Sequence, residues 1–166
     1  PEAWQSAIDG LVASANALYD ANMESSTLPA QDALSELIAA AEESTEGTGE
    51  QMKAAYEALR AGMDVFKENV NAYAKIESEL YDLILVQGEE YAEYCDDEAV
   101  YEKWNEYCEW VSDPDHYGEM TTDELVSFLE DGKALIAQMK TIYDNAIEQE
   151  RVSDETREAM ASASDD

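Results

Sequence analysis

Large apolar residues recur on one side of a helix between residues 52 and 80. The steps between them alternate between four and three residues, with one short step near Tyr73, and no proline interrupts the run. The positions are Met52, Tyr56, Leu59, Met63, Phe66, Val70, Tyr73, Ile76 and Leu80. This heptad spacing predicts a long, one-sided α-helix that packs against partner helices along its length.

Shorter apolar stripes predict further helices before and after this one. Pro29 stands where the first turn of a helix tolerates proline, and Gly47 and Gly49 lie in a polar loop that ends that helix. Pro114 and Gly118 mark another loop before the last stripe. The predicted helices cover residues 2–23, 29–43, 50–94, 98–111 and 122–149.

The long helix and the last helix share a local pattern. In each, a leucine is followed by a glycine three residues later and by a large apolar residue after four more. The two sets are Leu59, Gly62 and Phe66, and Leu129, Gly132 and Ile136. Because glycine inside a helix costs about 1 kcal/mol relative to alanine, the matched glycines indicate close helix crossings and an internal repeat. The alternative is chance alignment of two Ala- and Glu-rich helices.

These patterns together predict an all-α protein of two consecutive three-helix units that share a long central helix. One compact helical bundle is the alternative, and it would place Phe66 and Leu80 in the same core layer. In the two-unit arrangement residues 1–71 form the first unit and residues 72–150 the second. Residues 151–166 lose the apolar periodicity, which is typical of a frayed end or linker.

The charge of the chain restricts its partners. Forty Asp and Glu residues face nine Lys and Arg residues, which gives a net charge of -31. Nucleic acids and anionic membrane surfaces are repelled by such a surface. No apolar run is long enough for a transmembrane helix, so we expect no membrane insertion. Protein partners, neutral glycans and cations stay open, and the oligomeric state is not determined by these patterns.

Residues 113–124 resemble a calcium loop of the EF-hand type. Asp stands at loop positions 1 and 3, Gly at position 6 and Glu at position 12, in the order that supplies oxygen ligands around a sharp turn. The candidate ligands are Asp113, Asp115, Tyr117 through its carbonyl or a water, Glu119 and Glu124. Calcium is therefore the one cofactor that the sequence suggests.

A second interpretation of the same loop needs no metal. Thr121 and Glu124 have the spacing of a capping box at the start of the last helix, and the Asp-Pro-Asp at 113–115 is ordinary turn chemistry. Tyr117 also replaces the oxygen-bearing side chain that position 5 of such a loop normally carries. The sequence leaves both interpretations open.

Aromatic residues crowd into residues 91–117. Tyr101 and Trp110 lie toward the polar face of the predicted short helix, and Trp104 lies on its apolar face. Exposed Tyr and Trp are favoured at interfaces, so Tyr101, Trp104 and Trp110 are candidate residues for binding a carbohydrate or a peptide. The alternative is that a small bundle fills its core with large rings.

No pattern of residues supports an enzyme. His116 is the only histidine, which excludes a two-histidine di-iron site in a helical bundle. Cys95 and Cys108 do not have zinc-ligand spacing with it. If residues 98–111 are helical, about 15 Å separates the two thiols along the axis, and we expect both to be free and partly buried. We predict no catalytic residue.

The segment AYEALRAGMDVFKENVNAYAKI follows a glycine-containing loop and resembles the FIVAR-type helical repeats of bacterial surface proteins. The resemblance covers most of residues 4–147. It implies three-helix units placed between the functional domains of secreted or wall-attached proteins. We therefore expect an extracellular, non-enzymatic spacer or protein-interaction module, with calcium binding and carbohydrate or peptide binding as the alternatives.

Overall fold

A computed structural model of the chain describes residues 2–165, and it contains no β-strand within that range. The all-α class predicted from the periodicity is confirmed. The α-helices are α1 (Glu2–Ala21), α2 (Leu28–Ser44), α3 (Gly49–Lys75), α4 (Gly88–Ala92), α5 (Glu98–Val111) and α6 (Thr122–Asp165). Two π-helical segments, Ile76–Leu80 and Asp82–Gln87, connect α3 to α4, and a 3₁₀ turn, Pro114–His116, precedes α6.

The chain divides into two compact units. The first comprises the described residues up to Ser78 together with Asp113–Phe128, and the second comprises Glu79–Ser112 and the residues from Leu129 onward. Phe66 belongs to the core of the first unit, and Leu80 is buried in the second. The chain changes unit three times: within the π-helical segment Ile76–Leu80, in the loop after α5 and within α6.

In the first unit α1, α2 and α3 pack on one another around the predicted stripes. Gly62 lies against the side chain of Leu37, where an added Cβ would collide with a leucine methyl group. A capping box between Thr48 and Gln51 fixes the start of α3. The core residues are Ile8, Ala15, Leu34, Ile38, Ala41, Met52, Leu59 and Phe66.

In the second unit α5 packs against the π-helical segment Asp82–Gln87. Trp104 is buried there, and its Nε1 donates a hydrogen bond to the carbonyl of Ile84 at 2.9 Å. Gly132 lies beside the ring of Tyr107, so the second matched glycine also marks a close approach. The buried apolar residues are Leu80, Ile84, Val100, Trp104, Tyr107, Leu129, Leu135, Ile136 and Met139.

The stripe of the long helix changes its geometry where the spacing changes. The α-helical part ends at Lys75, and π-helical hydrogen bonding begins at Ile76, directly after the short step near Tyr73. A π turn holds more residues than an α turn and therefore changes which side chains lie on one face. The short step near Tyr73 marked an irregularity of the stripe in the sequence, but it did not predict the π-helical segments.

Helix α6 is longer than its apolar stripe predicted, since it continues from residue 149 to Asp165. The described side chains of residues 148–164 are exposed. Arg151 pairs with Glu148 and Glu155 within the helix, and Arg157 pairs with Asp154. Such pairs one turn apart support a helix that has no apolar face to bury, which explains helical structure beyond the periodic region.

Candidate functional site

The first unit contains an open groove of about 540 Å³. One wall is the connection between α1 and α2, the other is the loop before α6, and Tyr73 of α3 lies between them. The lining residues are Met23, Glu24, Ser26, Leu28, Gln31, Tyr73, Pro114, Asp115, Gly118 and Glu119. All of them belong to the first unit, so the groove is formed within one compact body.

Buried hydrogen bonds hold the wall formed by the α1–α2 connection. The Gln31 side chain, which is 7% exposed, donates from Nε2 to the Met23 carbonyl at 2.8 Å and to Ser26 Oγ at 3.0 Å. The Ser26 hydroxyl donates in turn to the Asn22 carbonyl. These bonds satisfy main-chain groups of a non-helical turn and therefore stabilise this conformation of the wall.

The second wall is held to the first unit by main-chain and aromatic contacts. The Leu28 N–H donates to the Gly118 carbonyl at 2.9 Å, which joins the two walls directly. The ring of Tyr117 is buried against Tyr73, with the ring centroids 5.4 Å apart. Burial raises the pKa of Tyr117 to about 12, and burial also raises the pKa of Tyr73. Both phenols are therefore neutral near pH 7.

Asn69 anchors both walls to α3. Its Oδ1 accepts the N–H of Thr27 at 2.9 Å, and its Nδ2 donates to Thr27 Oγ1 and Thr122 Oγ1, each at 3.0 Å. Thr27 is the N-cap of α2, and Thr122 is the first residue of α6. One fully buried amide therefore fixes the start of a helix on each side of the groove.

The groove combines apolar surface with negative charge. Met23 and Leu28 are 52% and 51% exposed, and both line the groove. Glu24, Asp115 and Glu119 are exposed carboxylates along the groove. Within residues 2–165 none of these three lies within ion-pair distance of a Lys or Arg. The groove thus has an apolar rim and three carboxylates whose negative charge no Lys or Arg of the described residues neutralises.

The candidate calcium ligands lie in the second wall, where internal hydrogen bonds engage several of them. Asp113 Oδ1 accepts the N–H of Asp115 at 3.1 Å, and Asp113 Oδ2 lies 3.5 Å from His116 Nε2. Glu124 Oε1 accepts the N–H of Thr121 at 3.1 Å, and the Glu124 N–H donates to Thr121 Oγ1. The capping box predicted as the alternative is confirmed.

The same loop offers little to a metal ion in this conformation. Tyr117 turns its side chain into the core, and Glu119 lines the groove. No group of three or more His, Cys, Asp or Glu among the described residues is placed to hold a metal ion. Calcium binding at residues 113–124 stays a prediction, and the contacts described in the loop do not add support for it.

The three candidate aromatic residues do not form one exposed surface. Tyr101 is 40% exposed and Trp110 is half-buried, whereas Trp104 is 9% exposed and is hydrogen-bonded through its indole. The ring centroids of Tyr101 and Trp104 are 5.6 Å apart, and the ring of Trp110 packs beside that of Tyr107. Trp104 serves as a core residue, which leaves Tyr101 and Trp110 as the accessible part of that candidate site.

The surroundings of the two cysteines do not favour the thiolate form. Cys95 and Cys108 are free and partly buried, as expected from their spacing. Burial raises the pKa of both thiols. At Cys95 a backbone hydrogen bond at Asp97 partly offsets the effect of burial, and the charges of Asp97 and Asp96 add to it; at Cys108 the charge of Glu89 adds to it. Since the thiolate is the nucleophile, a raised pKa lowers the reactivity of each cysteine at neutral pH.

The apolar rim of the groove and its buried anchor, Asn69, were not identified by the sequence analysis, although a signal was present. Met23 and Leu28 flank the polar turn 24–27 outside the helical periodicity, so no packing role predicted from the stripes accounts for them. Asn69 interrupts the apolar face of the long helix between Phe66 and Tyr73. A buried-face asparagine needs hydrogen-bond partners, and this requirement could have indicated that a loop is held against α3.

Comparisons with protein families, with curated proteins and with solved structures found no match to this chain. No helix in the described part of the chain is both long and apolar enough to cross a membrane.

Proposed function

We propose that the chain is a non-enzymatic helical spacer and protein-interaction module of a bacterial surface protein, and that the groove of the first unit contacts the partner. One observation carries the proposal. The groove is held open by internal hydrogen bonds while it exposes about half of Met23 and of Leu28. Large apolar side chains at the rim of a fixed concavity favour a binding surface.

The chemistry of the side chains supports a binding role over a catalytic one. The two thiols have raised pKa values, and the single histidine lies beside Asp113 in a surface turn. Carboxylates occur over the whole surface, so their presence near the groove does not indicate a reaction. The resemblance to FIVAR-type repeats supports placement at a bacterial surface, where such modules separate or present functional domains.

The proposal is tested with a displayed library of random peptides of about twelve residues. Met23→Ser/Leu28→Ser removes the exposed apolar rim without touching the buried core. Val65→Ser/Val126→Ser is the matched control, because both valines are at least 50% exposed in the first unit and neither lines the groove. Peptides enriched on the wild-type protein should lose binding to the first variant and keep it to the second.

Two outcomes separate the spacer and interaction roles. Enrichment of peptides that depend on Met23 and Leu28 supports the interaction module. If no enriched peptide distinguishes the rim variant from the control variant, the groove is not an interaction surface, and only the spacer part of the proposal is left.

A further inference from the structure

We infer that the groove of the first unit binds a basic peptide segment in which a large apolar side chain is flanked by Lys or Arg on both sides. The inference rests on the proposed function and specifies the partner of the same groove. It follows from the placement of apolar and charged groups on the two walls and from the size of the concavity.

The apolar part of the ligand follows from the rim and the floor. Met23 and Leu28 stand on one wall, Pro114 stands on the other, and the ring of Tyr73 lies between them. A concavity of about 540 Å³ accommodates one or two large side chains rather than a folded surface. Methionine adapts its shape to the partner, so the groove accepts several apolar residue types at the anchor position.

The basic part of the ligand follows from carboxylates on both walls. Glu24 lies on the wall formed by the α1–α2 connection, and Asp115 and Glu119 lie on the opposite wall. Neither Lys nor Arg lines the groove. A ligand whose apolar side chain enters the groove therefore meets negative charge on either side of its main chain. Flanking cations on the peptide would compensate that charge.

The charge of the whole chain favours the same ligand and disfavours others. At a net charge of -31 the chain attracts cationic peptides over a distance set by the ionic strength, and it repels acidic ones. A second copy of this chain carries the same charge and is repelled as well. A cationic peptide is the occupant that both the groove and the surrounding field select.

The walls are already in place before binding. Gln31, Asn69 and the bond from the Leu28 N–H to the Gly118 carbonyl fix the conformation of both walls. The protein side therefore loses little conformational entropy on association, and the peptide is the component that becomes ordered. The affinity then depends on the anchor side chain and on the flanking charges, which can be varied separately.

The test uses an array of peptides of about twelve residues that share a central Leu, Met or Phe. The flanking residues are Lys and Arg in one set, Gln and Ser in a second set and Glu in a third. We expect the wild-type protein to bind the basic set, and we expect Met23→Ser/Leu28→Ser to reduce that binding at least about tenfold, as for the loss of a buried apolar anchor.

A charge variant tests the carboxylates. Glu24→Gln/Asp115→Asn/Glu119→Gln removes three charges from the groove, and Asp9→Asn/Glu57→Gln/Asp64→Asn removes three exposed charges elsewhere on the first unit. Both variants have the same net charge. The groove variant should bind the basic peptides about tenfold more weakly at low salt, with a smaller difference near 1 M NaCl. The control should differ little from wild type.

The outcomes distinguish the inference from the function on which it rests. Binding of the neutral or acidic set that requires Met23 and Leu28 would overturn the inference and leave the interaction module standing. Equal weakening by the groove and control charge variants would show attraction by net charge alone and would also overturn it. Absence of rim-dependent binding in all three sets would overturn both.

Discussion

Asn69 joins three parts of the first unit through one side chain. Every other buried position of α3 carries an apolar or aromatic residue. Hydrophobic packing therefore does not explain an asparagine at this position. It satisfies the N–H of Thr27 and the hydroxyls of Thr27 and Thr122. Unpaired polar atoms at buried positions cost about 1–3 kcal/mol each. The groove walls therefore depend on this residue although it does not line the groove.

Replacing Asn69 by leucine should destabilise the first unit by about 3 kcal/mol, because Thr27 and Thr122 lose their buried partner. Urea unfolding measures the loss, and hydrogen exchange should show faster exchange at the Thr27 and Leu28 amides. Asn71→Leu is the control, since Asn71 is exposed two residues away on the same helix. An equal effect of both substitutions would contradict the role given to Asn69.

Tyr107 should make the protein less stable at alkaline pH. Burial, followed by the nearby Asp131 and Glu106, raises the pKa of Tyr107 to about 12. In the unfolded chain the phenol ionises near pH 10, at about the usual value. Between pH 10 and pH 12 the unfolded state thus releases a proton that the native state keeps, and stability falls as the pH rises.

Tyr107→Phe should make this decline in the free energy of unfolding shallower over that pH window. Urea unfolding at a series of alkaline pH values measures the slope of the wild type and of the variant. A wild-type slope that persists in Tyr107→Phe would show that other groups cause the decline.

At the scale of the helices, periodicity was sufficient where one face is buried. The stripe at 52–80 predicted α3, because burial on one side selects residues three and four apart. It did not predict the π-helical segments Ile76–Leu80 and Asp82–Gln87. It also did not predict α6 beyond residue 149, where ion pairs within the helix replace an apolar face.

The candidate sites were less accessible to sequence analysis than the helices. The capping box of α6 is local, and Thr121 with Glu124 was enough to predict it. The groove is not local, because it joins residues 23–31 to 114–119 and needs Tyr73 between them. For Trp104 the apolar face of the helix indicated a core position, but the hydrogen bond to the Ile84 carbonyl joins residues 20 apart and could not be predicted from the sequence.

Gly88 is expected to control the packing between α4 and α5. A Cβ at this position would collide with the indole nitrogen of Trp104 and displace it from the Ile84 carbonyl. Gly88→Ala should destabilise the second unit by about 2–3 kcal/mol, through overpacking and a lost hydrogen bond. Urea unfolding and the NMR signal of the Trp104 indole N–H would report the change.

Gly10→Ala should stabilise the protein, in contrast to Gly88→Ala. Gly10 lies inside α1 with no atom within 4 Å of an added Cβ. Alanine there should stabilise the helix by about 0.5–1 kcal/mol, since it removes the entropy cost of glycine. If both alanine variants shift stability in the same direction, the close contact at Gly88 is not the cause of its effect.

Across the whole chain, negative charge opposes folding. Forty acidic residues with nine basic ones repel one another when the chain compacts, and salt screens that repulsion. The melting temperature should therefore rise by several degrees, about 5 °C or more, between 20 mM and 1 M NaCl. Sorbitol at matched osmolality is the control for effects other than screening. A melting temperature that does not depend on NaCl would contradict this account.

The proposed peptide binds the first unit, whereas in the aromatic alternative the ligand binds Tyr101 and Trp110 in the second unit. The most direct test is an NMR titration of the isotopically labelled chain with a basic peptide that carries one large apolar residue. The account predicts that the amide signals that shift belong to residues 22–31 and 113–119. Shifts confined to 98–111, or no shifts at all, would contradict it.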